Sequence, residues 1–599
     1  MKRLLAVCWG LFLGLCACPV WAEENFTINH QLHYEIHPNG SATVNQEISL
    51  TNQLADVYAT RYSLTLQEVS VSNVSASDAG GPIQPQISRQ GRETTVALVF
   101  NQPAVGKEKT LRFNLNYDAL NLAQKNGQVW EINIPQLVLE NASTNGQMTL
   151  AVPTSFGRLA LMRPAPLKSE TRQGVNLYFF DLQQAIGNGV NANFGEFQIF
   201  DFVLTYHLDN PTHSQISTEI ALPPDTAFQQ VLYQKLTPPP LNVRLDNDGN
   251  WLAQYQLRAQ EKININAMGQ AKIFATPQND FLIPHADTIK RNLASQTYWP
   301  VDHPLIQAKA KQLTTPRAIY DFVVNHLEYR LDRVADDPQR LGALAALQNP
   351  QQAICTEFTD LFIALARAAG IPAREINGFA YTTNAAVRPL GMITDILHAW
   401  PEYWDESHQV WIPVDPTWGK TTNGVDYFSK TDMNHFAFAI HGEQSNFPYP
   451  AGSYKATDTP SKDVQVEFGQ KLVDVNSQVA VNFQLPGAIT IENTGRNALY
   501  YLKPQVTSVT LRINLPESSS KNIIVLPPFA KQKIQLTLAS LKPFNFQDNL
   551  VTVVVNGQSF RQTVKIYAFP WQVAAGGGGL ILLIIILFLT RPWNYAKKT

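Results

Sequence analysis

Cysteine is scarce in this chain: Cys8, Cys16, Cys18 and Cys355 are the four in 599 residues. Three of them fall at the extreme N-terminus, so Cys355 stands alone in the body and has no partner for an internal disulfide. Charge is also sparse, at 16% Asp, Glu, Lys and Arg, with a formal net charge of −2. No lysine- or arginine-rich tract interrupts the body, so no basic excess exists to neutralise phosphates and nucleic acid is not an expected partner. Repeats of short fixed period are missing, and four glycines, Gly576 to Gly579, are the one low-complexity stretch. Metal-ligand spacing is missing too, so no metal or other cofactor is expected. Asp246-Asn247-Asp248-Gly249 starts like a calcium loop but lacks the later ligands and the bidentate glutamate, and it reads as a hairpin turn.

The two ends carry what the body lacks. Lys2 and Arg3 precede an apolar run from Leu4 to Leu15, and Val20-Trp21-Ala22 provides a cleavage site, so residues 1–22 read as a signal peptide. A lipid-attachment reading at Cys18 fits less well, because Cys16 and Ala17 depart from that pattern. At the other end no charge lies between Lys565 and Arg591. A bilayer core needs roughly 20 apolar residues, so residues 571–590 are expected to span it as a single helix. Trp571 and Trp593 mark its interfaces, and Arg591, Lys597 and Lys598 place the 591–599 tail in the cytoplasm. The expectation is a single-pass membrane protein with an extracytoplasmic ectodomain.

Length alone calls for several domains. Residues 23–278 read as β throughout, with Asn39-Gly40 between two alternating runs as the strongest hairpin signal. A break near Asn210-Pro211 divides them into an N-terminal β domain, 23–210, and a second β unit, 211–278, both sandwich-like. Helical spacing begins after Ile283. Thr314 or Thr315 before Pro316 is a cap, a second helix covers Gln339 to Leu347, and a third starts at Cys355. That third helix carries Phe358, Leu361, Phe362, Leu365 and Ala369 on one face and is stopped by Gly370 and Pro372. Strands return from Ile376, giving an α+β domain over 283–450. A polar stretch, Ala456 to Lys462, leads to a last all-β unit, 463–567, of immunoglobulin-like pattern.

The chemistry concentrates in the α+β segment. A thiol at a helix start meets free N–H groups and the helix dipole, which favour a thiolate. A nucleophile also needs a base and a group that orients it. His398 to Trp404 and Gln409 to Asp415 read as a hairpin; a pairing centred between Glu406 and Ser407 sets His398 opposite Asp415. Pro401 and Pro413 cannot donate to the ladder and can shift that register. Cys355, His398 and Asp415 are the candidate catalytic residues.

The segment Cys355-Thr-Glu-Phe-Thr-Asp-Leu-Phe-Ile-Ala-Leu-Ala-Arg-Ala-Ala-Gly-Ile-Pro-Ala-Arg374 closely resembles the nucleophile helix of the transglutaminase-like superfamily. His398-Ala-Trp400 and Trp411-Ile-Pro-Val-Asp-Pro-Thr417 resemble its histidine and aspartate motifs. The resemblance covers roughly residues 285 to 445. It implies a papain-like α+β core and an acyl-enzyme formed on a peptide or protein amide. Ala353-Ile354-Cys355-Thr356 departs from the Gly-Gln-Cys-Trp of the animal enzymes, so glutamine–lysine cross-linking is not implied.

Neighbouring residues have plainer readings beside the functional ones. Glu357 suits a first-turn carboxylate favoured by the dipole, and less readily a site residue. Trp400 and Trp418 can wall a substrate cleft or pack in the core. Arg374 is expected in an ion pair; Asp426, Asn434 and His435 are expected to be scaffold. The rival to an enzyme is a peptide-binding or adhesion scaffold in which the triad is idle, a reading that the large β flanks favour.

Overall fold

The computed structural model describes residues 25–566 except 68, 92, 135–141, 184, 186–188, 279–283, 335–337, 383–387, 391–396, 423–425, 429–432, 456–461, 517–521 and 543–546. The expected signal peptide, membrane helix and tail lie outside the described residues. Among those described, no helix is long and apolar enough to cross a membrane. Among the described residues the protein is β-rich and multidomain, with the α-helices of six or more residues gathered between Ala286 and Thr421.

The described residues divide into two compact units, those up to 125 with 130–194, and 126–129 with those from 195 onward. In the first, strands Phe26–Ile36 and Ala42–Asn52 pair antiparallel across the Asn39-Gly40 turn. Gly40 has φ 85°, and a Cβ there would stand 2.2 Å from the Ala123 carbonyl oxygen, so only glycine fits. Alternate residues of these strands (Ile28, Leu32, Tyr34; Val44, Ile48) point into one core shared with the two smaller sheets of the unit.

The division falls after Phe194, one strand before the break expected near Asn210. Strand Phe197–Asp209 pairs along its whole length with Lys262–Phe274, which binds it to the following β unit. Strand Val464–Phe468 adds to its other side, so the start of the expected 463–567 unit is an edge of this sheet. A second sheet holds Ile216–Leu222, Trp251–Leu257 and Asn242–Leu245. Asp246 closes its hairpin by accepting from the Asp248 and Asn250 N–H groups, the turn expected there. From residue 479 to 565 the described chain is again all β.

The α+β segment packs its helices against a four-stranded antiparallel sheet ordered Val410–Pro413, Leu397–Asp405, Ala373–Ala380, His435–His441. Helix Cys355–Ala368 is its centre. Phe358, Leu361, Phe362 and Leu365 are fully buried in one cluster, each worth about 1.5–3 kcal/mol of apolar burial. The helix ends where Gly370 turns left-handed at φ 82°, its N–H reaching Arg367 O while Ile371 N–H reaches Ala366 O. Helix Pro316–His326 is capped by the Thr315 hydroxyl, and a further helix spans Gly342–Gln348.

The edge strand His435–His441 is finished by two amide side chains from the β unit. Gln229 donates to Ala437 O (3.0 Å) and accepts from its N–H (2.8 Å). Asn250 does the same at Ile440, at 2.7 and 2.8 Å. Each amide takes the place of a neighbouring strand and satisfies a buried N–H and C=O that would otherwise be costly.

Candidate active site

Cys355 is the first residue of its helix, buried, and a free thiol. Ile354, just before it, is extended, so the chain enters the helix sharply at the thiol. Glu357 does not face the thiol. Its carboxylate accepts from the Ile354 N–H (3.0 Å) and the Leu341 N–H (2.8 Å) and pairs with Arg333 (3.1 Å), closing the helix start.

His398 lies on strand Leu397–Asp405, and its Nε2 is 2.9 Å from Asp415 Oδ2. A carboxylate can only accept, so Nε2 carries a proton, and Nδ1 is the nitrogen that gains or gives up the second one. Nδ1 is buried and has no hydrogen bond among the described residues. Burial alone would lower the imidazole pKa, but Asp415, and then the Cys355 thiol, raise it to about 9. Burial likewise works to raise the Asp415 pKa, and His398 and His435 outweigh it, holding the carboxyl well below its ordinary value. Asp415 stays anionic, and His398 is poised to hold a proton.

The hairpin register differs from the expected one. Glu402 faces Pro413 and Asp405 faces Val410, leaving a four-residue turn with Gln409 at φ 52°. Pairing stops at Pro413, and Val414 N–H donates to Pro401 O. Asp415 therefore reaches His398 from beyond the strand, as the N-cap of helix Pro416–Thr421, with its Oδ1 accepting from the Trp418 N–H (3.0 Å).

Trp400 and Trp418 are both buried around His398, with ring centroids 6.0 and 5.2 Å away. Trp400 also lines a cavity of about 50 Å³ with Asp415, Met433, His435, Phe228 and Ile273. Trp418 is core, its indole N–H donating to Pro389 O. Arg374 pairs with Glu402 (2.7 Å), Asp426 with Arg317 (2.9 Å), and the Asn434 side chain is buried, all structural placements.

Two residues emerge that sequence reasoning did not place in the site. His435 Nε2 is 3.3 Å from the same Asp415 Oδ2 that His398 uses. Tyr329 bridges to Ala353, beside Cys355, and brings a buried hydroxyl without a partner among the described residues. Burial, then the charges of Cys355 and Asp415, push its pKa up. A histidine at the start of an aromatic strand was the one available signal for the first; the second had none. His398, Asp415 and His435 are also the group, among the described residues, whose donor atoms lie within 4.8 Å of one another, as metal ligands do. The hydrogen bonds from both histidines to one carboxylate oxygen account for that convergence without an ion.

No curated protein matches the chain. Among solved structures it is similar to a chain from Cytophaga hutchinsonii provisionally named a cysteine protease, at 18% identity and TM-score 0.30, over 46% of this chain and 99% of that one. An M1 zinc metallopeptidase from Deinococcus radiodurans aligns at 13% identity and TM-score 0.20, over 31% and 45%. A chain from Parabacteroides distasonis, provisionally named a protease, aligns at 10% and 0.18, over 86% and 94%. Scores this low carry no argument about activity. Residues 301–416 match the Transglutaminase-like superfamily, and with that match the chain is assigned a domain of this superfamily.

Proposed function

We propose that the chain is a membrane-anchored, extracytoplasmic cysteine enzyme that acts on peptide or side-chain amides through Cys355, His398 and Asp415. The observation that carries the reading is the Asp415–His398 hydrogen bond, which leaves Nδ1 of His398 as the nitrogen that takes up the proton of the thiol. The Cys355 thiol passes its proton to His398 Nδ1, and the thiolate attacks the amide carbonyl carbon. His398 then returns that proton to the departing amine, leaving a thioester on Cys355. The Cys355 N–H at the helix start supports the oxyanion, with the buried Tyr329 hydroxyl as an available second donor. Water resolves the thioester by hydrolysis, or an amine by transfer. Anchoring rests on the uncharged run between Lys565 and Arg591.

Treating the protein with iodoacetamide and, separately, making Cys355→Ala are each expected to abolish amide cleavage and amine incorporation. Activity that survives both ends this reading and leaves the binding scaffold. Mass spectrometry of peptide products, with and without a primary amine, separates hydrolysis from transfer.

A further inference from the structure

Asp415 has one more partner than a triad requires. Its Oδ1 is fixed by the Trp418 N–H, and its Oδ2 is approached by Nε2 of both His398 (2.9 Å) and His435 (3.3 Å). The His435 ring stands 4.9 Å from Trp400 and 4.7 Å from Trp418, at the edge of the cavity it lines with Phe228 and Ile273. A purely structural side chain packed against two indoles needs no polar edge; this one points its N–H at the carboxylate. The strand that carries it is locked at both Ala437 and Ile440 by the amides of Gln229 and Asn250, which belong to the β unit. On its inner side, Gly378 lets Phe436 approach so closely that a Cβ would stand 2.1 Å from the Phe436 carbonyl oxygen.

We infer that His435 is a fourth, positioning member of the site, and that the β unit holds it on Asp415 through the Gln229 clamp. The inference rests on the triad reading above. With two donors on Oδ2 and one on Oδ1, the carboxylate cannot rotate away from His398, so Nδ1 stays aimed at the thiol. The groups that face this network are the Cys355 thiol, the phenols of Tyr320 and Tyr329, and Glu402 in the cavity wall, itself paired with Arg374. Burial, and then nearby charges that include Asp415, push both phenols up in pKa, so they stay neutral. The β flank thereby has a task in the chemistry rather than in adhesion alone.

The test is the pH profile of Cys355 alkylation by iodoacetamide in the full chain, with the thermal midpoint recorded for each variant. His435→Ala is expected to slow alkylation on the plateau about tenfold and to move its acid edge to higher pH, because the carboxylate is freed to turn away from His398. His435→Gln, whose amide N–H can still reach Oδ2, is expected to restore most of the rate. Gln229→Leu, which breaks the clamp and leaves the triad intact, is expected to shift the profile in the same direction by less. A wild-type profile in His435→Ala overturns the positioning role while the triad stands. If His435→Ala does not fold, an unchanged profile in Gln229→Leu overturns the inference in its place. A wild-type thiol that reacts only as an ordinary one, rising near pH ~8.5, overturns the triad reading and this inference together.

Discussion

Asp415 is the residue on which the site turns, because one carboxylate both caps a helix and fixes the tautomer of His398. Asp415→Ala removes the acceptor for two imidazoles and a backbone N–H. Turnover is expected to fall by about 10² or more, measured as kcat. The orphaned donors are expected to cost about 1–3 kcal/mol, measured by denaturant unfolding. The pair also sets a pH dependence whose sign comes from its shifts. His398 is raised from 6.5 to about 9, so its contribution is full below pH 6.5 and is lost as pH rises through 9. Asp415 is depressed from 3.8, so its contribution is present above that pH and is lost as pH falls through the folded value. The stability difference between wild type and Asp415→Ala should therefore be greatest between about pH 4 and 6.5 and shrink toward pH 9. A difference that grows toward pH 9 contradicts the assignment. Cys355, His398 and Asp415 could each be singled out in sequence, because each sits in a motif whose chemistry has few other uses, and the structure brings His398 and Asp415 together. His435 was not: a strand buried along almost all its length gives no alternation from which to read which residue faces a site.

At the scale of elements, the Cys355 helix could be read because its apolar residues recur at helical spacing and Gly370 with Pro372 marks its end. The hairpin could not be read to its register. Strand Leu397–Asp405 is buried on both faces up to Glu402, so no period of two exists to fix the pairing, and two prolines remove ladder donors. The His398–Asp415 contact arises instead from the turn of the chain into helix Pro416–Thr421. Gly378 tests how tightly the sheet is built, since it lies opposite His398 on one side and beside Ala437 on the other. Gly378→Ala is expected to force the edge strand outward at a cost of about 1–3 kcal/mol, read as a lowered Tm, with a matching loss of alkylation rate. An unchanged Tm would show that the sheet yields freely there.

Across the whole molecule, the β-rich composition was evident from turn signals and alternation, while the division between units was not. In sequence the strand Phe197–Asp209 looks like the end of the N-terminal β domain. Only its pairing with the distant strand Lys262–Phe274 joins it to the second β unit. Non-local pairing of this kind leaves no local trace. The proposed anchor makes its own prediction: the protein should sediment with membranes, and a chain ending at residue 566 should be released in soluble, active form. Release of the full chain by salt alone would contradict a spanning helix.

The central claim is that Cys355 carries the acyl group. The direct measurement is intact-mass analysis of the protein quenched during turnover of a peptide substrate, with peptide mapping of the adduct. The account predicts one acyl group in thioester linkage on Cys355, absent from Cys355→Ala and removed by hydroxylamine. Product formation with no adduct on Cys355, or by the Cys355→Ala protein, would contradict it.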